Sequence, residues 1–176
     1  RAEIESMTDP LTGLYNHRRF QECMREEVEG GRQGAVALLF CDIDHFKLLN
    51  DTHGHLEGDD VLRRVGRILV SSVRRGDVAA RYGGDEFCVL LLDAGMDTAL
   101  EVAERIRARV AALDVPAGGV GPTVSIGVAA LPRGGSAEEL LAEADRAMYA
   151  AKELGRDRVV RADTSQELPP DLPSML

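Results

Sequence analysis

A chain of 176 residues is long enough to fill one core and too short for two ordinary domains joined by a linker. Its 30 acidic residues against 21 basic give a net charge of −9, the wrong sign for coating nucleic-acid phosphates, and 4% aromatics without Trp offer few platforms for stacked bases. No apolar run approaches the roughly 18 residues of a membrane-spanning helix, and Cys23, Cys41 and Cys88, with no C-x-x-C spacing, supply neither a disulfide framework nor a zinc knuckle. A reducing, cytoplasmic compartment fits that usage. The first residue is Arg1, with no signal peptide, which reads as a piece of a longer protein whose remainder could include a membrane anchor. Small anions stay open as ligands, because a local Lys/Arg pair and a divalent metal can hold a phosphate on an acidic protein.

In chain order, residues 1–8 are polar and read as the end of an incoming helix. Asp9-Pro10-Leu11-Thr12-Gly13-Leu14 follows as a linker turn. Arg18 to Glu29 carries Phe20, Met24 and Val28 at i, i+4 and i+8, a helix closed by Gly30-Gly31. The apolar run Ala35 to Cys41, between Gly34 and Asp42, predicts a buried strand. From Gly58 to Arg74, Val61, Leu62, Val65, Ile68, Leu69 and Val73 recur at helical spacing. Asp77 to Tyr82 and Glu86 to Leu92 read as strands joined across Gly83-Gly84-Asp85. Leu100, Ala103, Ile106, Val110 and Leu113 mark a further helix, and Thr123 to Ala130 a further strand. Ser136 with Glu139 forms a capping-box pattern opening a helix that runs to about Leu154, where Gly155 ends it. Arg158 to Arg161 predicts a last edge strand. The remainder, residues 162–176, is a Pro-rich tail expected to be loosely ordered.

This order is the split βαβ pattern of an α+β, ferredoxin-like fold with a mostly antiparallel central sheet over residues 9–161. In that topology the first strand is central and antiparallel to the third, so Asp42 approaches Asp85 and Glu86, with Asp44 near. Each motif alone reads as a strand terminator or a hairpin turn; their adjacency is what argues for chemistry. Carboxylates gathered at one sheet edge repel unless a hard divalent cation compensates, and magnesium suits all-oxygen ligands while leaving positions for substrate phosphates. Gly83 and Gly84 leave room for a nucleotide phosphate to approach the backbone.

Arg81-Tyr82-Gly83-Gly84-Asp85-Glu86-Phe87 resembles the signature of the GGDEF family of diguanylate cyclases. Asp9 through Asn16 is similar to that family's opening motif, and Asp42-Ile43-Asp44-His45-Phe46-Lys47 to its first-strand metal motif. Ala144-Asp145 through Lys152, with Gly155-Arg156, is similar to its closing motif. The resemblance implies a palm-type nucleotidyl cyclase core that condenses two GTP molecules into cyclic di-GMP and two pyrophosphates. It implies magnesium, with manganese as the alternative, on Asp42, the Ile43 carbonyl, Asp85 and Glu86, and Asp85 as the base toward the ribose 3′-hydroxyl. By the same resemblance Asn50 and Asp59 read guanine, His55 contacts substrate, and Lys47, Lys152, Arg156 and the backbone at His45 and Phe46 hold the triphosphate.

Five residues separate Asp77 from Gly83, which puts Arg74-Arg75-Gly76-Asp77 where the family places its R-x-x-D inhibitory product site, with Arg105 as an extra contact. Without the family, Asp59 reads as a helix-terminal carboxylate, Lys152 and Arg156 as a solvated helix end, and Arg74 with Asp77 as a surface pair. Tyr15, Arg18, Arg81 and Tyr149 read as structural. The two-fold symmetric product implies a homodimer in which two GTP-loaded half-sites face each other, controlled by an upstream sensory or regulatory domain. The competing readings are a catalytically weak module that binds cyclic di-GMP, opposed by intact Asp42, Asp85 and Glu86, and an RNA-binding ferredoxin-like domain, opposed by charge and scarce aromatics.

Overall fold

The computed structural model describes residues 6–30, 34–115, 119–131 and 135–163; the expectations for residues 1–5 and for the tail from Thr164 lie outside the described residues. The elements are α1 (His17–Glu29), β1 (Val36–Ile43), α2 (Phe46–His53), α3 (His55–Ser72), β2 (Val78–Arg81), β3 (Glu86–Leu92), α4 (Met96–Ala111), β4 (Val124–Leu131), α5 (Ala137–Glu153) and β5 (Arg158–Arg161). The strands form one sheet in the order β2-β3-β1-β4-β5. β1 is central and antiparallel to both β3 and β4, and only β5 joins in parallel, beside β4. This is the expected ferredoxin-like sheet.

All eight residues of β1 are buried, because helices cover both faces of the sheet and each side chain, up or down, meets a layer. Ala37, Leu39, Cys41 and Ile43 point to one layer, with Val61, Val65 and Leu69 of α3 and Ala103, Ile106 and Val110 of α4. Val36, Leu38 and Phe40 point to the other, with Phe20 and Met24 of α1 and Leu140, Ala144 and Met148 of α5. Gly127 of β4 sets how close α5 lies: a Cβ there would fall 2.1 Å from the Ala144 carbonyl oxygen and 2.2 Å from the Met148 nitrogen. Helix backbone thus rests on strand backbone, a contact only glycine permits.

Three local readings differ from expectation. The segment 9–14 is no free linker: Asp9 accepts from the Thr12 amide (2.9 Å) and hydroxyl (2.7 Å), pairs with Arg81 at 3.2 Å, and Tyr15 bridges Ala80 along the edge of β2. Thr8 bridges Tyr15 instead of continuing a helix. The helix expected from Gly58 begins at His55 and is preceded by α2, which escaped detection because it spans 8 residues with Leu49 its one buried side chain. Left-handed His45 (φ 53°) and Gly54 (φ 91°) bracket that short helix. At its far end α3 stops at Ser72, short of the expected Arg74, because the Asp77 carboxylate takes the Arg74 amide at 2.9 Å. No helix among the described residues is long and apolar enough to cross a membrane.

Candidate active site

The β1–β3 register sets Asp42 directly opposite Glu86, and the Ile43 amide donates to the Asp85 carbonyl at 3.1 Å, so the expected meeting of these residues is realised. The hairpin closes through the Tyr82 amide to the Glu86 carbonyl at 2.8 Å, and Arg81 holds the Gly84 carbonyl at 2.8 and 3.2 Å, the structural role expected of it. A Cβ on Gly83 would lie 2.5 Å from Glu86 Oε1, so the turn's bare backbone makes room for that carboxylate.

Asp42 is 6% exposed. One of its oxygens accepts from the Lys152 ammonium, and the other, Oδ1, is buried with no hydrogen-bond partner among the described residues. Burial pushes its pKa up to about 6, with Asp85 and Glu86 adding repulsion and Lys152 opposing. Burial also raises Glu86, followed by the charges of Asp85 and Asp145, against Lys152 and His17. Asp145 and His17 are members of this electrostatic neighbourhood that the sequence reading did not assign. Asp145 could have been found from its spacing of seven before Lys152, which returns to the same helix face; His17 stacks on Tyr82 with ring centroids 4.1 Å apart.

Asp44 lies near, as expected, but its carboxylate is already engaged: it accepts from the hydroxyls of Thr123 (2.7 Å) and Ser125 (2.6 Å), the latter opposite Asp42 in the β1–β4 register, and from the Asp157 amide (3.0 Å). Among the described residues no three His, Cys, Asp or Glu side chains form a ready-made metal cage. The donor set nonetheless fits a hard cation: among the described residues a buried Asp42 oxygen lacks a partner, and the charges of Asp85 and Glu86 add to burial in raising that carboxyl.

Following the β1 terminus, α2 carries Lys47 and Asn50, and α3 carries His55 and Asp59. Asn50 Oδ1 is a second buried acceptor with no partner among the described residues, and a Cβ on Gly58 would lie 1.7 Å from it. Lys47, His45 and His55 are exposed, while Phe46 packs against the core. Arg156 is exposed just past α5, in a left-handed conformation (φ 64°).

The expected product-site residues gather where α3 ends. Arg74 is 64% exposed along its side chain and donates to the Leu92 carbonyl at 2.9 Å; Arg105 donates to the Ser72 carbonyl at 3.2 Å. The Asp77 carboxylate is buried and braces the fold, accepting from the amides of Arg74 (2.9 Å) and Leu92 (3.1 Å).

A ferredoxin-like sheet whose central strand carries a buried carboxylate, Asp42, beside a Gly-Gly-Asp-Glu hairpin has the architecture of a palm-like nucleotidyl cyclase fold. Over residues 6–158 the chain matches the family described as "Diguanylate cyclase, GGDEF domain", and it belongs to that family. It is 39% identical over 165 residues to diguanylate cyclase VdcA of Vibrio cholerae, covering 91% of this chain and 48% of VdcA. It is 43% identical over 162 residues to the response regulator PleD of Caulobacter vibrioides, covering 88% of this chain and 36% of PleD. The chain therefore spans half or less of these relatives. The GGDEF domain of DgcB from Caulobacter crescentus, solved in complex with c-di-GMP, superposes with a TM-score of 0.81 at 35% identity, covering 90% of this chain and 94% of that one.

Proposed function

We propose that this domain is a diguanylate cyclase, joining two GTP molecules into cyclic di-GMP with release of two pyrophosphates. The observation that carries the reading is Asp42, whose buried, unpartnered oxygen lies across the strand register from Glu86 and beside Asp85. Asp42, Asp85, Glu86 and the Ile43 carbonyl would hold magnesium, which when bound polarises the α-phosphate and neutralises the leaving pyrophosphate. Asp85 takes the proton of the ribose 3′-hydroxyl as the new 3′-O–P bond forms and the bond to pyrophosphate breaks. Lys47, Lys152, Arg156 and the amide-rich start of α2 receive the triphosphate, while Asn50 and Asp59 offer acceptors to the guanine amide and exocyclic amine, with His55 alongside.

Each subunit binds one GTP, so the reaction runs where two copies meet about a two-fold axis, and an upstream domain controls that meeting. Arg74, Asp77 and Arg105 bind cyclic di-GMP and hold half-sites apart. The test is incubation with GTP and magnesium at several protein concentrations, followed by chromatography of the products. Cyclic di-GMP and pyrophosphate should form with specific activity rising with concentration, and Asp85→Asn should lose several orders of magnitude in rate. Near wild-type turnover in that variant, or no product at any concentration, refutes the assignment.

A further inference from the structure

The chain reverses from α5 into β5 through three successive residues with positive φ: Gly155 (124°), Arg156 (64°) and Asp157 (45°). Glycine takes such a conformation freely, whereas a residue with a Cβ is strained there and keeps it only where surrounding contacts impose it. Those contacts are visible. The Arg156 amide donates to the Ala151 carbonyl at 3.0 Å, and the Asp157 amide donates to Asp44 Oδ2 at 3.0 Å. Asp44 is itself fixed by the Thr123 and Ser125 hydroxyls. From α4, Arg107 Nη1 donates to Asp157 Oδ1 at 2.8 Å, while its other nitrogens hold Glu104 at 2.6 to 3.1 Å.

Asp157 is thus gripped twice, by Asp44 at its amide and by Arg107 at its carboxylate. An exposed ion pair adds little to stability, and this one is half-covered, with Arg107 22% and Asp157 43% exposed along their side chains. Its consequence lies in direction instead. Arg156 precedes the gripped residue, and the path of the chain at Asp157 sets where the Arg156 guanidinium leaves the backbone.

We propose that Arg107 is a positioning residue: acting through Asp157, it aims Arg156 at the substrate triphosphate. The inference rests on the reading of Arg156 as a triphosphate contact. It also gives α4, which carries Arg105 of the product site, a direct hold on the active-site turn.

The test is calorimetric binding of two probes, each with magnesium: a GTP analogue with a methylene bridge between the α- and β-phosphates, and GMP. The proteins are wild type, Arg107→Met, Arg107→Lys, Arg156→Ala and the Arg107→Met/Arg156→Ala double variant, with a melting curve for each. Arg107→Met should weaken the triphosphate analogue by about fivefold or more, leave GMP affinity unchanged, and be partly rescued in Arg107→Lys. The double variant should bind no more weakly than Arg156→Ala alone, since Arg107 acts through that residue. Additive losses, equal losses for both probes, or unchanged binding in Arg107→Met while Arg156→Ala is weakened would each overturn the inference alone. An Arg156→Ala variant that binds the analogue normally would overturn the triphosphate reading itself, and the inference with it.

Discussion

Replacing Gly58 by Ala sets two effects of opposite sign against each other. Within α3, Ala is favoured over Gly by about 1 kcal/mol through backbone entropy. The new Cβ, however, would lie 1.7 Å from Asn50 Oδ1, 2.9 Å from its Cγ and 3.3 Å from Phe46 Cζ. The Asn50 amide must rotate away. Among the described residues its oxygen has no hydrogen-bond partner to lose, so the displacement costs rotamer energy, about 0.5–1.5 kcal/mol. The two terms nearly cancel, and the melting temperature should move by no more than about 4 °C. Binding behaves differently, because the displaced oxygen is the acceptor proposed for guanine. Losing that hydrogen bond, at about 1–3 kcal/mol, weakens GTP roughly tenfold. Thermal melting and GTP calorimetry on the same preparation separate the effects. Unchanged melting with unchanged GTP affinity would remove Asn50 from the base site, and a fall well beyond 4 °C would show that the crowding is not relieved by the side chain.

Asp42→Asn should stabilise the protein in metal-free buffer at pH 8. The folded Asp42 carboxyl titrates at about 6 against an ordinary 3.8, so the folded state holds a proton that the unfolded chain releases, and stability falls as pH rises between those values. The gain, about 1–3 kcal/mol at pH 8, should close toward pH 4 in urea titrations with chelator present; equal stability at pH 8 would contradict the burial argument. Gly127→Ala drives a methyl into the backbone of α5 at Ala144 and Met148 and should cost about 1–3 kcal/mol, read as a lowered urea midpoint; an unchanged midpoint would show that the helix lies further from β4. Arg74→Ala should relieve inhibition by cyclic di-GMP with little change in melting, whereas Asp77→Ala should also destabilise, because it releases the amides of Arg74 and Leu92. Equal cyclic di-GMP affinity in wild type and Arg74→Ala would return the pair to a surface role.

The frame of the fold was legible because its strands are extreme. A run buried on both faces, like Val36–Ile43, leaves no polar alternation to confuse with loop, and Gly83-Gly84-Asp85 interrupts β-rich sequence at the only point where β2 and β3 can turn. What escaped were features that periodicity does not encode. The start of α2 depends on one left-handed residue, His45, and the end of α3 on a side chain five positions downstream. Gly127 lies inside a β-rich run, and nothing in that run tells that helix backbone will rest on it.

The candidate site divides along the same line. That Asp42 meets Asp85 and Glu86 follows from strand order and register, which sequence patterning reaches through topology alone. The fates of Asp42 and Asp44 do not follow. Spacing of two would place both carboxylates on one face of a strand, yet β1 ends at Ile43, and Asp44 already belongs to the turn into α2. There it collects two hydroxyls and the Asp157 amide, whose donors stand 79, 81 and 113 positions away in the chain. Asp42, still within the sheet, pairs with Lys152 through one oxygen, feels the charges of Asp85 and Glu86, and keeps the other oxygen without a hydrogen-bond partner among the described residues. A fully satisfied carboxylate has little to gain from a cation, whereas one that is buried, crowded by charge and short of a donor gains most. Long-range hydrogen bonding thus separates the structural acid from the one offered to metal, although in sequence the two share a motif.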